Sequence, residues 1–170
     1  MIVTAMKNLK LGIWIFVLTV IEASLLHYIR IESTVPSVIF AFLVTAAVLE
    51  ENFMESAIIS MICAVAASAV CGREFAVTFI LYSVCGIYVF NIRKKPRYTK
   101  KIVKAVFHTA ILSAIVGIVI YLSSYFTLNF VYILRMAVSV MIYSAISALI
   151  IYPLLYASVY KSAEEKRLIR

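Results

Sequence analysis

Six apolar stretches, near residues 9–29, 35–49, 54–70, 75–91, 102–126 and 134–160, follow one another along this chain with only short polar gaps between them. A helix needs about 20 mainly apolar residues, in a usual range of roughly 17–25, to cross the hydrocarbon core of a bilayer. The second and third stretches are short by that measure, and the fifth and sixth are generous. In lipid each backbone polar group must be satisfied inside its own segment, which leaves helices as the economical solution. The pattern predicts an all-α integral membrane protein, with six helices in one bundle and a single polytopic domain over residues 1–170.

Composition supports this solvent assignment. The chain is 65% hydrophobic and 14% charged, with a mean hydropathy of +1.06, against roughly 45–50% apolar and about 25% charged residues in soluble domains. No Gly/Ser/Pro-rich linker divides it. The first apolar stretch follows Lys7 and Lys10, as a leader would. It continues to about Ile29, contains Glu22 and lacks a small-x-small cleavage pattern, so it reads as a first span.

The basic residues test the span count, because Lys and Arg in short loops are retained on the cytoplasmic side. With six spans and an inside N-terminus, the inside set is Lys7 and Lys10; Arg93, Lys94, Lys95, Arg97, Lys100, Lys101 and Lys104; and Lys161, Lys166, Arg167 and Arg170. Only Arg30, Arg73 and Arg135 fall outside. A five-span count would force either the 93–104 cluster or the tail to the wrong side. The expectation is a bacterial inner membrane protein with both termini cytoplasmic. The net charge of +8 then reports orientation rather than a nucleic-acid partner. The acidic hairpin Glu50-Glu51-Asn52-Phe53-Met54-Glu55 does not oppose this, since acids influence orientation little.

Small residues let membrane helices approach closely. In the third span Ala57, Ser60, Ala64, Ala67 and Cys71 recur at spacings of three and four, as do Ser56, Ser60, Ala64 and Ser68 at four. These rows form a packing or partner face and predict a central position for that span. Ala137, Ser144 and Ala148 form a looser row in the sixth span, ahead of Pro153; Ala110, Ser113 and Gly117 do so in the fifth.

Glu22, inside the first span, is the sharpest candidate for chemistry. An intramembrane acid is costly unless paired or protonated. It reads either as a proton- or cation-linked group or as a carboxyl hydrogen-bonded within the bundle. The basic run from Arg93 to Lys104 would attract anionic lipid headgroups at roughly 1 kcal/mol per residue near the surface, or dock a cytoplasmic protein. His27 and His108 fall near opposite faces and share no site. Cys63, Cys71 and Cys85 form no CxxC pair and read as packing residues. The eight acids are all glutamates, without a phosphate loop, HExxH or nucleophile elbow, so no enzyme, metal or cofactor is expected.

The stretch Val35-Pro36-Ser37-Val38-Ile39-Phe40-Ala41-Phe42-Leu43, continuing to Leu49-Glu50-Glu51, resembles the MreD family of small membrane subunits of the bacterial rod-shape machinery. The likeness extends through the Ala/Ser/Cys-rich third span to Cys71-Gly72-Arg73, the basic central loop, and the final Ile151-Tyr152-Pro153-Leu154-Leu155. One departure is that the family's third segment is often Gly-rich with an aspartate near its end. Here Ala64–Ser68 stands instead and there is no aspartate, so no role of that acid carries over. The resemblance implies a fold similar to the substrate-binding S-components of energy-coupling-factor transporters. It also implies a non-enzymatic scaffold, partnered by an MreC-like protein and the peptidoglycan polymerase and transpeptidase of cell elongation, and indirectly by MreB filaments. The competing reading is a vitamin-binding transport subunit of that same fold. Such subunits dock through an Ala-xxx-Ala pattern in the first span, where this chain reads Gly12-Ile13-Trp14-Ile15-Phe16.

Overall fold

The computed structural model describes residues 2–24, 37–71, 75–93, 101–125 and 129–161. They form six helices in chain order: α1 (Ile2–Ser24), α2 (Val38–Leu49), α3 (Phe53–Cys71), α4 (Phe75–Arg93), α5 (Lys101–Tyr125) and α6 (Phe130–Leu155). A π-helical turn, Tyr156–Tyr160, continues α6. Four of the six, α3 to α6, are long and apolar enough to cross a membrane. The chain therefore has the architecture of a multi-pass helical membrane protein.

The outward faces have the character lipid requires. On α5 Val103, Phe107, Ile111, Ile115 and Val119 are exposed at every fourth position, and on α6 so are Leu134, Val138, Ile142, Ile146, Ile150 and Leu154. Residues four apart lie on one side of a helix, so each series is a continuous apolar stripe running along the bundle. Contiguous apolar surface on that scale is foreign to soluble monomers.

The most enclosed helix is α2; α3, expected to be central and to touch two or more neighbours, packs against α4, α2 and α1. Every residue from Ile39 to Leu49 is buried, and α2 packs against all five other helices. The reason is in its sequence, Val-Ile-Phe-Ala-Phe-Leu-Val-Thr-Ala-Ala-Val-Leu, which is apolar all round apart from Thr45; a helix without a polar face belongs inside. The Thr45 hydroxyl is satisfied by donating to the Ala41 carbonyl at 2.7 Å. With twelve residues, α2 extends about 18 Å at 1.5 Å per residue, well short of a hydrocarbon core of about 30 Å.

The α3 rows fill a different role, against α4 as well as α2 and α1. Ser60, Ala64 and Ala67 are buried and Ala57 is half-buried. A Cβ built on Gly86 of α4 would overlap the Ser60 hydroxyl and lie 2.6 Å from Ser60 Cβ, so these two backbones meet at a distance that only glycine permits. Cys71 is the last residue of α3. Ala137, Ser144 and Ala148 are likewise buried on α6, and Ser113 on α5.

Helix ends follow local chemistry. Asn129 caps α6 by accepting from Tyr132 N–H at 3.3 Å, so α6 begins at Phe130, four residues before the expected start. α1 begins at Ile2 and takes Lys7 and Lys10 into its first turns. Ser37 caps α2, its hydroxyl accepting from Phe40 N–H at 3.2 Å.

Candidate functional site

Cross-helix contacts fix which helix ends lie together. Lys7 of α1 meets Glu50 and Glu55 at the α2–α3 turn, Phe53 of α3 meets Phe90 of α4, and Tyr160 meets Glu50. At the other end Tyr121 of α5 meets Tyr132 of α6, which sends the start of α5 back to the first end. One end of the bundle thus collects Lys7, Lys10, the Glu50–Glu55 turn, Arg93, Lys101, Lys104 and Lys161. We call it the charged end. Lys94, Lys95, Arg97 and Lys100, with His27, Arg30, Arg73 and Glu74, lie outside the described residues.

The charged end is organised around Glu50, whose side chain is only 3% exposed. Its Oε1 accepts from Lys7 Nζ at 2.9 Å, from Glu51 N–H at 3.0 Å and from Asn52 N–H at 3.5 Å. Its Oε2 accepts from the Tyr160 hydroxyl at 3.1 Å. A buried carboxylate requires such compensation. Lys7 also bonds Glu55 at 2.5 Å, and its ammonium stands 5.5 Å from the Tyr160 ring centroid, within cation–π range. Asn52 completes the turn, its side-chain oxygen accepting from Met54 N–H at 3.1 Å. One acid therefore joins α1, the α2–α3 turn and the end of α6.

A second group of contacts lies beside the first. Lys10 Nζ donates to the Ser158 carbonyl at 2.9 Å, and the Trp14 indole N–H donates to the Ser158 hydroxyl at 3.1 Å. Ser158 sits in the π-helical turn, so α1 holds α6 where that helix departs from regular geometry.

Glu22 marks the opposite end of α1. It is 5% exposed, and its Oε2 accepts from Ile39 N–H at 2.8 Å and faces the Ser37 hydroxyl at 3.5 Å. Ser37 shares a 2.6 Å hydrogen bond with the Tyr82 hydroxyl, and Tyr82 packs edge-on to Phe40 with centroids 5.0 Å apart. The N–H groups of a helix's first turn have no intrahelical acceptor; Glu22 supplies one from a neighbouring helix. Glu22 is thus a buried carboxyl hydrogen-bonded across the bundle to α2.

These contacts share an electrostatic logic. α1 and α2 run antiparallel, with Glu22 at the amino end of α2 and Lys7 at its carboxyl end. A helix carries roughly half a positive charge at its amino end and half a negative charge at its carboxyl end. The first helix thus presents an acid and a base in the order that complements the α2 dipole. Sequence reasoning missed the Glu50 hub and took Lys7 only as an orientation signal.

The remaining candidates take no part in these networks. His108 Nδ1 lies 2.7 Å from the Lys104 carbonyl within its own helix. Cys63 and Cys85 are buried free thiols, and among the described residues no three metal-ligating side chains converge. No family model, no curated protein and no solved structure matches this chain.

Proposed function

We propose that this protein is a non-enzymatic, six-span scaffold subunit of the bacterial elongation machinery, similar in role to MreD, with both termini and the charged end in the cytoplasm. The observation that carries this reading is the filled centre. α2 occupies the axis of the bundle with eleven consecutive buried residues, where a ligand-carrying subunit of the same architecture needs room for several convergent polar groups. The buried polar side chains Glu22 and Glu50 are engaged in fastening helices.

Orientation follows from charge, since Lys7, Lys10, Arg93, Lys101, Lys104 and Lys161 share one end and basic residues are retained inside. The Arg93–Lys104 stretch then faces anionic headgroups or a cytoplasmic partner such as the filament. Ser60, Ala64 and Ala67 are committed to intramolecular packing. Docking of an MreC-like protein or of the polymerase–transpeptidase pair accordingly falls to the exposed stripes of α5 and α6, through helix contact within the membrane.

The test is affinity purification of the tagged protein from native membranes in mild detergent, with mass spectrometry of proteins and small molecules. Recovery of an MreC-like protein or an elongation-type transpeptidase is the expected result. Recovery of a vitamin, or of ATPase and coupling subunits, overturns the scaffold reading in favour of a transport subunit.

A further inference from the structure

We propose that α1 sets the helical register of the end of α6, through a latch at Lys7 and a hinge at Glu22. The starting point is the turn Tyr156–Tyr160, where Lys161 N–H reaches back five residues to the Tyr156 carbonyl. Such π turns are rare, and are found mostly as single turns inside α-helices, frequently at functional sites. This one brings Leu155 and Tyr160, five positions apart, to the same buried side. In an α-helix they would stand about 140° apart. The π register therefore places the Tyr160 hydroxyl on Glu50.

External contacts hold that register. Lys10 and Trp14 bond the carbonyl and hydroxyl of Ser158, and Glu50 receives Tyr160. Two of the three come from α1, and the third ends on the carboxylate that Lys7 neutralises.

α1 itself is held by a narrow face. Leu11, Ile15, Leu18 and Glu22 are buried, whereas Leu9, Ile13, Phe16, Val17 and Val20 are exposed. Its charged half combines buried Leu11 and Ile15 with the polar contacts of Lys7, Lys10 and Trp14. Its far end depends on the bond from Ile39 N–H to Glu22. Breaking the Lys7 contacts releases the charged half about a pivot at Glu22 and withdraws both donors from Ser158. The turn then returns to α geometry. That change advances the helix by one residue and swings Lys161 about its axis by roughly 100°. The first and last helices are in this way two parts of one switch, independent of which partner reads it.

The full-length protein in lipid nanodiscs tests this, with the three native cysteines replaced by alanine and one cysteine introduced by Val159→Cys or Tyr160→Cys. Tyr160→Cys removes the bond to Glu50 in every sample that carries it, so the comparison reads the two α1 contacts to Ser158; with Lys7 in place, both positions resist a maleimide. Adding Lys7→Met is expected to raise the reactivity at position 160 roughly tenfold, the shift produced by losing one hydrogen bond to a charged group. Position 159 stays protected. Lys7→Arg keeps a cation between Glu50 and Glu55 and retains protection at 160, so that the rise in Lys7→Met follows the lost charge and not a damaged fold. Trp14 is the single tryptophan, so its emission follows the release in the cysteine-free protein that retains Tyr160, with and without Lys7→Met. Continued protection at 160 overturns the coupling. A joint rise at 159 and 160 also overturns it, because that means melting of the turn instead of a change of register.

Discussion

Replacing Glu22 separates its role as a hydrogen-bond acceptor from its role as a charge. In Glu22→Ala the Ile39 N–H, at the capped start of a fully buried helix, loses its 2.8 Å acceptor. An orphaned buried donor costs about 1–3 kcal/mol, and loss of a carboxylate from a partly buried helix amino end adds up to about 2 kcal/mol. The expected destabilisation is about 2–4 kcal/mol. Glu22→Gln keeps a carbonyl oxygen of the same reach and removes the cost of burying a charge, so its effect stays near 1 kcal/mol or less. Thermal unfolding in a fixed detergent reads the difference. At roughly 2–4 °C per kcal/mol for a chain of this size, the alanine variant melts about 5–15 °C below the parent and the glutamine variant within a few degrees of it. Equal losses in the two variants would refute acceptor chemistry as the role of Glu22. An unperturbed alanine variant would refute the capping itself.

Three further outcomes follow from the packing. Lys7→Met leaves Glu50 buried without its cation and is expected to cost about 2–3 kcal/mol; a double-mutant cycle with Glu50→Gln in denaturant unfolding should show strong coupling between the two sites. Gly86→Ala drives a methyl group into Ser60, a clash worth about 1–3 kcal/mol, and Ser60→Gly should recover most of that loss. Phe42→Ala opens a hole at the centre of the bundle and should cost about 3 kcal/mol or more, whereas Ile142→Ala on the outward stripe of α6 should be nearly silent in the same unfolding assay.

The class of fold was legible because apolar length is a direct measure of solvent. The helices from α3 to α6 follow the predicted spans to within a few residues, and the positions that differ have chemical causes. Asn129 is a helix cap, and reading it as one would have started α6 at Phe130. The small-residue rows of the third span match its contacts with α4, α2 and α1 and its close approach at Ser60 to Gly86, but they do not single out the most enclosed helix. Burial on every side is marked by the absence of a polar face, which Val38–Leu49 displays in plain sequence. The charged end was legible as a gathering of lysines. Its wiring was not, since Lys7 and Glu50 stand 43 positions apart and Glu50 and Tyr160 stand 110 apart, with no periodic signal that would pair them.

The short central helix also constrains the order of assembly. α2 is too short to anchor itself across a bilayer, yet a large part of its surface is covered by α6, which is synthesised well after it. While the ribosome is still adding α5, one side of α2 has no permanent neighbour. Lipid, an insertion factor or a neighbouring chain must occupy that side in the interim. The flank of α2 that α6 covers is therefore a late-closing part of the bundle, and quality control that recognises incomplete membrane proteins would find its target there.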